Sequence, residues 1–220
     1  VWCSWRSTLP RNTAKSVAGA AAASRSEIIS TGLGEHVKPV AVHAIWLAQD
    51  DPKKNTAVRA SKRGDVILHK DLRRVPRKGI LLDPLCGKVF GPEDHDLLTD
   101  GALVALDCSW AQIDDSVASI DRRTRLQHRM LPLLLAANPV NWGKPGRLST
   151  IEALAATLVL AGHNEQAEQA LGCVRWGIRF LELNAEPLKA YAEARSSNEL
   201  VSIQFDFFDI DTEEARRESN

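Results

Sequence analysis

The chain contains few cysteines and no pattern that would bind a structural metal through them. Cys3, Cys86, Cys108 and Cys173 are far apart and form no Cys-x-x-Cys pair, which disfavours a zinc site. A disulfide framework is also disfavoured, because a chain of 220 residues can bury a core of its own. We therefore interpret the four cysteines as buried, reduced thiols of a cytoplasmic protein.

Membrane spans and hydrolase motifs are absent as well. The longest apolar stretch, residues 154–161, is far shorter than the ~18 residues needed to cross a bilayer, so we expect no membrane partner. The six histidines show no metal-ligand spacing, and no Ser-His-Asp set or paired carboxylates stand out. The sequence therefore does not predict a hydrolase.

The chain has no excess of charge, but its charges are unevenly distributed. Twenty-eight Lys and Arg balance 28 Asp and Glu, and this neutrality alone argues against a nucleic-acid partner. Residues 53–78, however, carry ten bases and two acids, and residues 122–147 carry six bases and no acid. If these two basic blocks meet in the fold, they form a footprint for a phosphate backbone, whereas an ordinary solvated surface is the alternative.

Apolar runs of strand length alternate with helical patterns through most of the chain. Strands are predicted at residues 40–47, 79–84 and 102–106, and a fourth at 133–137, where a short helix is the alternative. Short helices are predicted at residues 56–62 and after Pro92.

Only helical patterns follow, at residues 153–161, 164–180 and 185–195. A capping box of Ser149 and Glu152 opens the first of them. Strands and helices that alternate before helices alone predict an α/β fold, mainly a parallel sheet, with a helical C-terminal part.

The most specialised loop of the sequence is residues 138–150, NPVNWGKPGRLST. A phosphate-binding P-loop is excluded, because Asn138 and Pro145 stand where that motif needs Gly and Ser or Thr. What remains is a rigid loop that offers backbone groups and the amino end of a helix to a ligand.

Two further loops follow predicted strands, where open α/β sheets bind their ligands. One contains Asp107, which can orient a ligand amine or act as a base, and Trp110, which can stack on a heterocycle. A helix-capping aspartate and a core tryptophan are the alternatives. The other loop is residues 50–56.

Taken together, these loops resemble the small-subunit rRNA aminocarboxypropyltransferases of archaea and eukaryotes. The resemblance covers about residues 40–195, and it rests on residues 51–56 (DPKKNT), 106–110 (LDCSW), 131–132 (LP) and 136–153 (AANPVNWGKPGRLSTIEA). It implies a fold similar to the knotted SPOUT methyltransferases with S-adenosylmethionine as co-substrate. It also implies transfer of the 3-amino-3-carboxypropyl group to N3 of a (methylated) pseudouridine during ribosome biogenesis.

The resemblance also implies site residues. The co-substrate would be held by Thr56, Thr150 and the backbone at Leu106, Leu131 and Gly146, with Leu82 and Trp110 lining its apolar pocket. Asp107 would lie near the transferred group as the candidate catalytic residue. RNA would be bound by Lys53, Lys54, Lys62, Arg63, Lys144 and Arg147.

The chain departs from the family pattern at two positions. Many relatives have Tyr where this chain has Trp142, which preserves an aromatic side chain. Some have Cys where this chain has Asn55, and without that Cys we predict no metal. Two rival functions stay open: a SPOUT-type RNA methyltransferase and a non-enzymatic rRNA-binding assembly factor.

The sequence divides into four expected segments. Residues 1–38 are a disordered or non-native leader, and residues 39–148 are the α/β domain for co-substrate and RNA. Residues 149–200 form the helical part, and residues 201–220 an acidic tail that could be a strand, a disordered end or a competitor for the basic groove. We expect a cytoplasmic monomer that acts on small-subunit rRNA or the pre-ribosomal small subunit.

Overall fold

A parallel β-sheet forms the centre of the computed structural model, which describes residues 38–47, 55–107 and 113–209. The strands are β1 (Ala41–Trp46), β2 (Ile67–His69), β3 (Gly79–Leu82), β4 (Ala102–Asp107) and β5 (Gln127–Arg129). Their order is β2-β1-β4-β3-β5, and every neighbouring pair is parallel. The three strands predicted at residues 40–47, 79–84 and 102–106 are confirmed as β1, β3 and β4.

Helices connect the strands and then form the C-terminal part. Those among the strands are α1 (Thr56–Arg63), α2 (His95–Thr99) and α3 (Ile113–Asp121). Those after the sheet are α4 (Thr150–Leu160), α5 (Asn164–Leu171), α6 (Gly177–Leu183), α7 (Ala185–Ala192) and α8 (Ser197–Phe207). The predicted α/β fold with a helical C-terminal part is therefore confirmed.

Two expectations about the C-terminal part of the chain are wrong in detail. The helix predicted over residues 164–180 is two helices, α5 and α6, and the turn between them brings Gly177 so close to α5 that an added Cβ would be 2.1 Å from the Leu171 carbonyl oxygen. The strand considered for the acidic tail is wrong over residues 201–207, which belong to α8. The boundaries of the four segments otherwise stay a prediction, and residues 1–37 and 210–220 lie outside the described ranges.

The sheet buries both of its faces, as its apolar strands require. Along β3 the side chains alternate, so that Ile80 and Leu82 join the larger core with α4 while Leu81 joins the smaller core. The smaller core also contains Ile120 of α3 and Leu106 of β4. In the described ranges no helix combines the length and the apolar character needed to cross a bilayer.

The strand predicted at residues 133–137 is wrong, as is its short-helix alternative. This segment is fully buried, but its backbone bonds to side chains of later helices. Gln204 accepts from the Leu133 N–H at 2.7 Å, and the Tyr191 hydroxyl donates to the Leu133 carbonyl at 3.0 Å. Asn184 accepts from the Leu135 N–H at 2.7 Å and donates to its carbonyl at 2.9 Å. Burial raises the pKa of Tyr191, so its hydroxyl remains a donor.

Gly79 generates a stability prediction, because it begins β3 with φ +121° and touches β4. A Cβ at this position would lie 2.0 Å from the carbonyl oxygen of Ala102. We expect Gly79→Ala to lower the free energy of unfolding by at least about 2–3 kcal/mol, measured by urea denaturation.

Gly87→Ala is the matched control. Gly87 also has a positive φ, +70°, but an added Cβ would meet nothing within 4 Å. Its cost should be limited to backbone strain of about 1 kcal/mol. Equal losses in the two variants would contradict a role for the contact between β3 and β4.

Candidate functional site

The candidate site lies at the carboxyl edge of the sheet, where all five parallel strands end. In register, Trp46 of β1 pairs with Asp107 of β4, and Leu82 of β3 pairs with Arg129 of β5. Open α/β sheets bind ligands at this edge. The structure therefore places Asp107 and Leu82 where the sequence predicts a site.

Asp107 is held in place by the amino end of α1. The Asn55 side-chain amide donates to an Asp107 carboxylate oxygen, and the Asn55 carbonyl oxygen accepts from the Val58 N–H at 2.9 Å. Both Asn55 and Asp107 are buried. Sequence reasoning missed this role of Asn55, although an asparagine directly before a helix is a preferred N-cap residue and signals it.

Thr56 joins the amino ends of two helices. Its hydroxyl oxygen accepts from the Ile151 N–H of α4 at 3.4 Å, directly after the buried Thr150. The structure therefore brings Thr56 and Thr150 close together, as the resemblance implies. Two helix amino ends that meet here offer N–H groups and a positive dipole end to an anionic group such as a carboxylate.

Three predicted leucines surround this edge, but not on one face. Leu82 and Leu131 belong to the larger core cluster. Leu106 belongs to the cluster on the opposite face of the sheet. The Leu106 side chain therefore packs on the opposite face of the sheet from Leu82. Only the Leu106 backbone is left to contact a ligand at this edge, as the resemblance implies.

The loop between residues 137 and 149 is fixed by a single buried carboxylate. Glu152 is 0% exposed and accepts from the Ala137 N–H at 2.7 Å, the Asn138 side-chain amide at 2.8 Å and the Ser149 N–H. The predicted capping box is confirmed in its Glu152 half, whereas the Ser149 hydroxyl oxygen is buried and makes no hydrogen bond to the described residues. Glu152 also does more than cap a helix, because it closes the loop onto α4.

Further hydrogen bonds make the loop a rigid element. The Asn138 side chain donates to the Arg147 carbonyl at 3.1 Å and accepts from the Asn141 N–H at 3.0 Å. Gly146 has φ +65° and donates its N–H to the Leu134 carbonyl at 2.9 Å. The rigid loop predicted from the sequence is confirmed, and it carries Gly146, the exposed Lys144 and the partly exposed Arg147.

The remaining predicted RNA-binding residues are distributed differently. Lys62 and Arg63 end α1, about 10 Å along the helix from Thr56. Arg63 donates to Asp65 at 2.9 Å and to the Gly172 carbonyl at 2.8 Å. The structure therefore does not bring Arg63 to the carboxyl edge. Lys53, Lys54 and Trp110 lie outside the described residues.

The two basic blocks do meet, but at the opposite edge of the sheet. The Arg125 N–H donates to the Arg77 carbonyl at 2.8 Å, just before β5 and β3 begin. The exposed bases of this amino edge are Arg77, Lys78, Arg122, Arg123 and Arg125. The condition that the blocks meet in the fold is therefore fulfilled at this amino edge, away from Asp107, while a phosphate footprint there stays a prediction.

Arg129 is a base of the second block that does not face solvent. It is buried and makes a bidentate ion pair with Asp94, at 2.8 and 2.6 Å. Beside it, His128 bonds to Asp83 at 2.8 Å and Asp121 at 2.7 Å. Burial would lower the pKa of His128, but the two carboxylates outweigh it and raise that pKa. These ion pairs fix β5 rather than bind a ligand.

The described residues contain no group of three or more His, Cys, Asp or Glu side chains that could hold a metal ion. Of the cysteines, Cys86 and Cys173 are free thiols. Burial raises the pKa of the Cys173 thiol to about 11, so it stays protonated at neutral pH.

Residues 80–208 match the family model described as "Ribosome biogenesis protein, C-terminal". This range contains β3 except its first residue, β4, β5 and all of the C-terminal helices. It also contains the whole loop that Glu152 closes.

Curated relatives match over most of their length. The chain is 46% identical over 157 residues to the 16S rRNA aminocarboxypropyltransferase of Methanopyrus kandleri, covering 71% of this chain and 92% of that protein. It is 40% identical over 167 residues to the protein of the same name from Methanosarcina acetivorans, covering 76% and 94%.

A solved structure is similar as well. The SAM-dependent rRNA:acp-transferase Tsr3 from Vulcanisaeta distributa superposes with a TM-score of 0.65 at 33% sequence identity. The alignment covers 76% of this chain and 97% of that one.

The buried carboxylate of Glu152 generates a prediction about the loop. In Glu152→Gln an amide NH₂ group replaces one acceptor oxygen and faces N–H donors, so buried donors lose their partner. We expect the free energy of unfolding to fall by about 2–3 kcal/mol, measured by urea denaturation.

Glu168→Gln on α5 is the control, since Glu168 is exposed. It should change stability by less than about 0.5 kcal/mol. A loss in Glu152→Gln no larger than that of the control would show that the carboxylate does not close the loop.

Proposed function

The chain belongs to the family of 16S rRNA aminocarboxypropyltransferases, and we propose that it transfers the 3-amino-3-carboxypropyl group of S-adenosylmethionine to small-subunit rRNA. One observation carries the proposal. The segments that build the carboxyl edge, from Asn55 to Thr150, lie in a chain that matches these enzymes over more than nine-tenths of their length. Composition alone would not separate this activity from methyl transfer.

The residues at this edge fit the co-substrate. Leu82 and Leu131 supply apolar surface, and Thr56 and Thr150 supply hydroxyl groups beside helix amino ends. The indole N–H of Trp46 is buried and finds no acceptor among the described residues, so the edge also holds a donor available to a polar ligand. We propose that the backbone at Leu106, Leu131 and Gly146 completes the binding site.

The chemistry depends on which carbon of the sulfonium is presented to the nucleophile. S-adenosylmethionine supplies three carbons bonded to one electron-poor sulfur, and proximity and orientation decide which one reacts. The proposed nucleophile is N3 of a (methylated) pseudouridine. N3 loses its proton, its electron pair attacks the γ-carbon of the aminocarboxypropyl group, and the C–S bond breaks. That bond's electrons return to sulfur, which leaves in neutral 5′-methylthioadenosine.

Asp107 is the proposed catalytic residue. Its buried carboxylate, fixed by Asn55, is suited either to accept the N3 proton or to bind the ammonium group of the transferred chain. We also propose that Trp110 helps turn the S-methyl group toward the apolar wall. The roles proposed for Asp107 and Trp110 rest on the family resemblance. The role of Asp107 rests also on its position at the end of β4.

Finer properties belong to the same proposal. The knotted SPOUT topology is supported by the all-parallel sheet and by the buried segment 131–137 between β5 and α4. A monomer is supported by helices α4 to α8, which cover one side of the sheet. Cytoplasmic location is supported by the free thiols of Cys86 and Cys173.

The by-product tests the proposed reaction directly. The protein, S-adenosylmethionine and small-subunit rRNA that carries the (methylated) pseudouridine but lacks the aminocarboxypropyl group should yield 5′-methylthioadenosine in a 1:1 ratio with the modified nucleoside, measured by liquid chromatography and mass spectrometry. Reactions without RNA provide the control and should yield neither product. S-adenosylhomocysteine as the only by-product would mean methyl transfer and would overturn the proposal.

RNA binding at the loop generates a second prediction. If Lys144 and Arg147 each neutralise one phosphate, the double variant Lys144→Gln/Arg147→Gln should bind the rRNA loop more weakly. The slope of log K against log salt concentration should become shallower by about 1.4, or ~0.7 for each lost contact with single-stranded RNA. Fluorescence anisotropy at several KCl concentrations measures it.

The control for that experiment is Lys189→Gln/Arg195→Gln, at exposed positions of α7 and the turn after it. It removes the same charge at a distance from the loop and should keep the wild-type slope. If both double variants change the slope equally, Lys144 and Arg147 act only through net charge.

A further inference from the structure

Two large apolar side chains project into water from the loop that Glu152 closes. Trp142 is 57% exposed and Val140 is 80% exposed. Scattered exposed apolar residues need no explanation. These two are separated by a single residue, and the exposed Pro139 precedes them, so together they form one apolar surface.

The backbone beneath this surface is held rigidly. The Gly143 N–H, directly after Trp142, donates to the Ala136 carbonyl at 2.7 Å. The Lys144 N–H donates to the Asn141 carbonyl at 2.9 Å. Trp142 therefore lies between hydrogen-bonded neighbours, and a ligand that binds it pays little to order the loop.

The loop that carries this surface has basic and no acidic side chains. Lys144 is exposed and Arg147 is partly exposed, and residues 122–147 contain no acidic residue. An aromatic side chain beside Lys and Arg is the arrangement that binds unpaired nucleotides. The nucleobase stacks on the aromatic ring, and the phosphates contact the Lys and Arg side chains. A purely apolar protein partner would not favour those cations.

The surface also adjoins the candidate site. The loop continues from Trp142 to Gly146 within four residues, a span of at most about 14 Å, and α4 begins at Thr150. We infer that Trp142, supported by Val140, is a stacking platform for an unpaired base of the rRNA substrate next to the reacting nucleotide. This inference rests on the proposed function, since it assumes that RNA is the substrate.

The test compares variants that separate stacking from apolar contact and from charge. Trp142→Ala should weaken binding of a hairpin-loop RNA about 10-fold or more, because a stacked base contributes at about this level. Trp142→Phe, which keeps an aromatic ring, should bind within about threefold of wild type. Trp142→Leu, which is apolar but cannot stack, should bind as weakly as the alanine variant.

Salt dependence distinguishes the platform from the phosphate contacts. Since Trp142 carries no charge, its variants should keep the wild-type salt slope, unlike Lys144→Gln/Arg147→Gln. The matched control is Phe205→Ala, which removes a 41% exposed aromatic side chain from α8. It should leave RNA affinity unchanged.

Four results would overturn the platform: wild-type RNA affinity in Trp142→Ala, full affinity in Trp142→Leu, an equal loss with fully paired RNA, or a parallel loss of S-adenosylmethionine affinity by calorimetry. The last would mean that Trp142 supports the loop rather than RNA. Failure of the proposed function gives a different signature. Wild type would then form no 5′-methylthioadenosine, while the order of RNA affinities among the Trp142 variants would still report on stacking.

Discussion

The backbone of residues 133–137 is buried, and each of its polar groups needs a partner that water cannot supply. The backbone of the following loop supplies part of these partners, since the Ala136 N–H donates to the Lys144 carbonyl and the Gly146 N–H donates to the Leu134 carbonyl. Side chains of the C-terminal helices supply the partners of Leu133 and Leu135, through Asn184, Tyr191 and Gln204. An unpaired buried amide costs about 1–3 kcal/mol, so the helical part is required for this segment to occupy its place.

The position of the functional loop follows from that constraint. Ala137 ends the segment, and Glu152 of α4 accepts its N–H together with that of Ser149. One end of the loop is therefore tied to the helices and the other to the start of α4. The same helix amino end meets Thr56 of α1, and α1 in turn fixes Asp107 through Asn55. Loop, helix ends and sheet edge form one connected set of contacts.

Sequence patterns predicted the elements whose apolar residues form long, almost uninterrupted runs. β3 and most of β4 are apolar and β1 is interrupted only by His43, whereas β2 and β5 are three-residue edge strands with polar members such as His69 and Gln127. Residues 133–137 have the same apolar composition as a central strand. Their backbone N–H and C=O groups could bond either to a neighbouring strand or to side chains. Which of the two occurs depends on residues up to 71 positions later in the chain, and no local sequence pattern reveals it.

The position of Asp107 was predictable, because a buried apolar strand directly precedes it and strand ends share one edge of the sheet, while its role stays a prediction. The site was less predictable where a long-range partner decides what a side chain does. Arg129 counts as a base of the second basic block, yet Asp94 neutralises it 35 residues earlier in the chain. Arg63 is likewise occupied by Asp65 and Gly172.

The neutral total charge therefore conceals three groups of basic residues: those in the interior, those at the amino edge of the sheet, and those of the loop between residues 137 and 149. Interior bases such as Arg129 form ion pairs with carboxylates of the protein itself. Those at the amino edge, around Arg77 and Arg125, are separated from the carboxyl edge by the length of β4, about 20 Å. At that distance they can attract RNA without sequence preference, but they cannot orient a single nucleotide. A loop that Glu152 ties to the start of α4, and that carries both basic side chains and an exposed tryptophan, is better placed to orient a nucleotide than these distant bases.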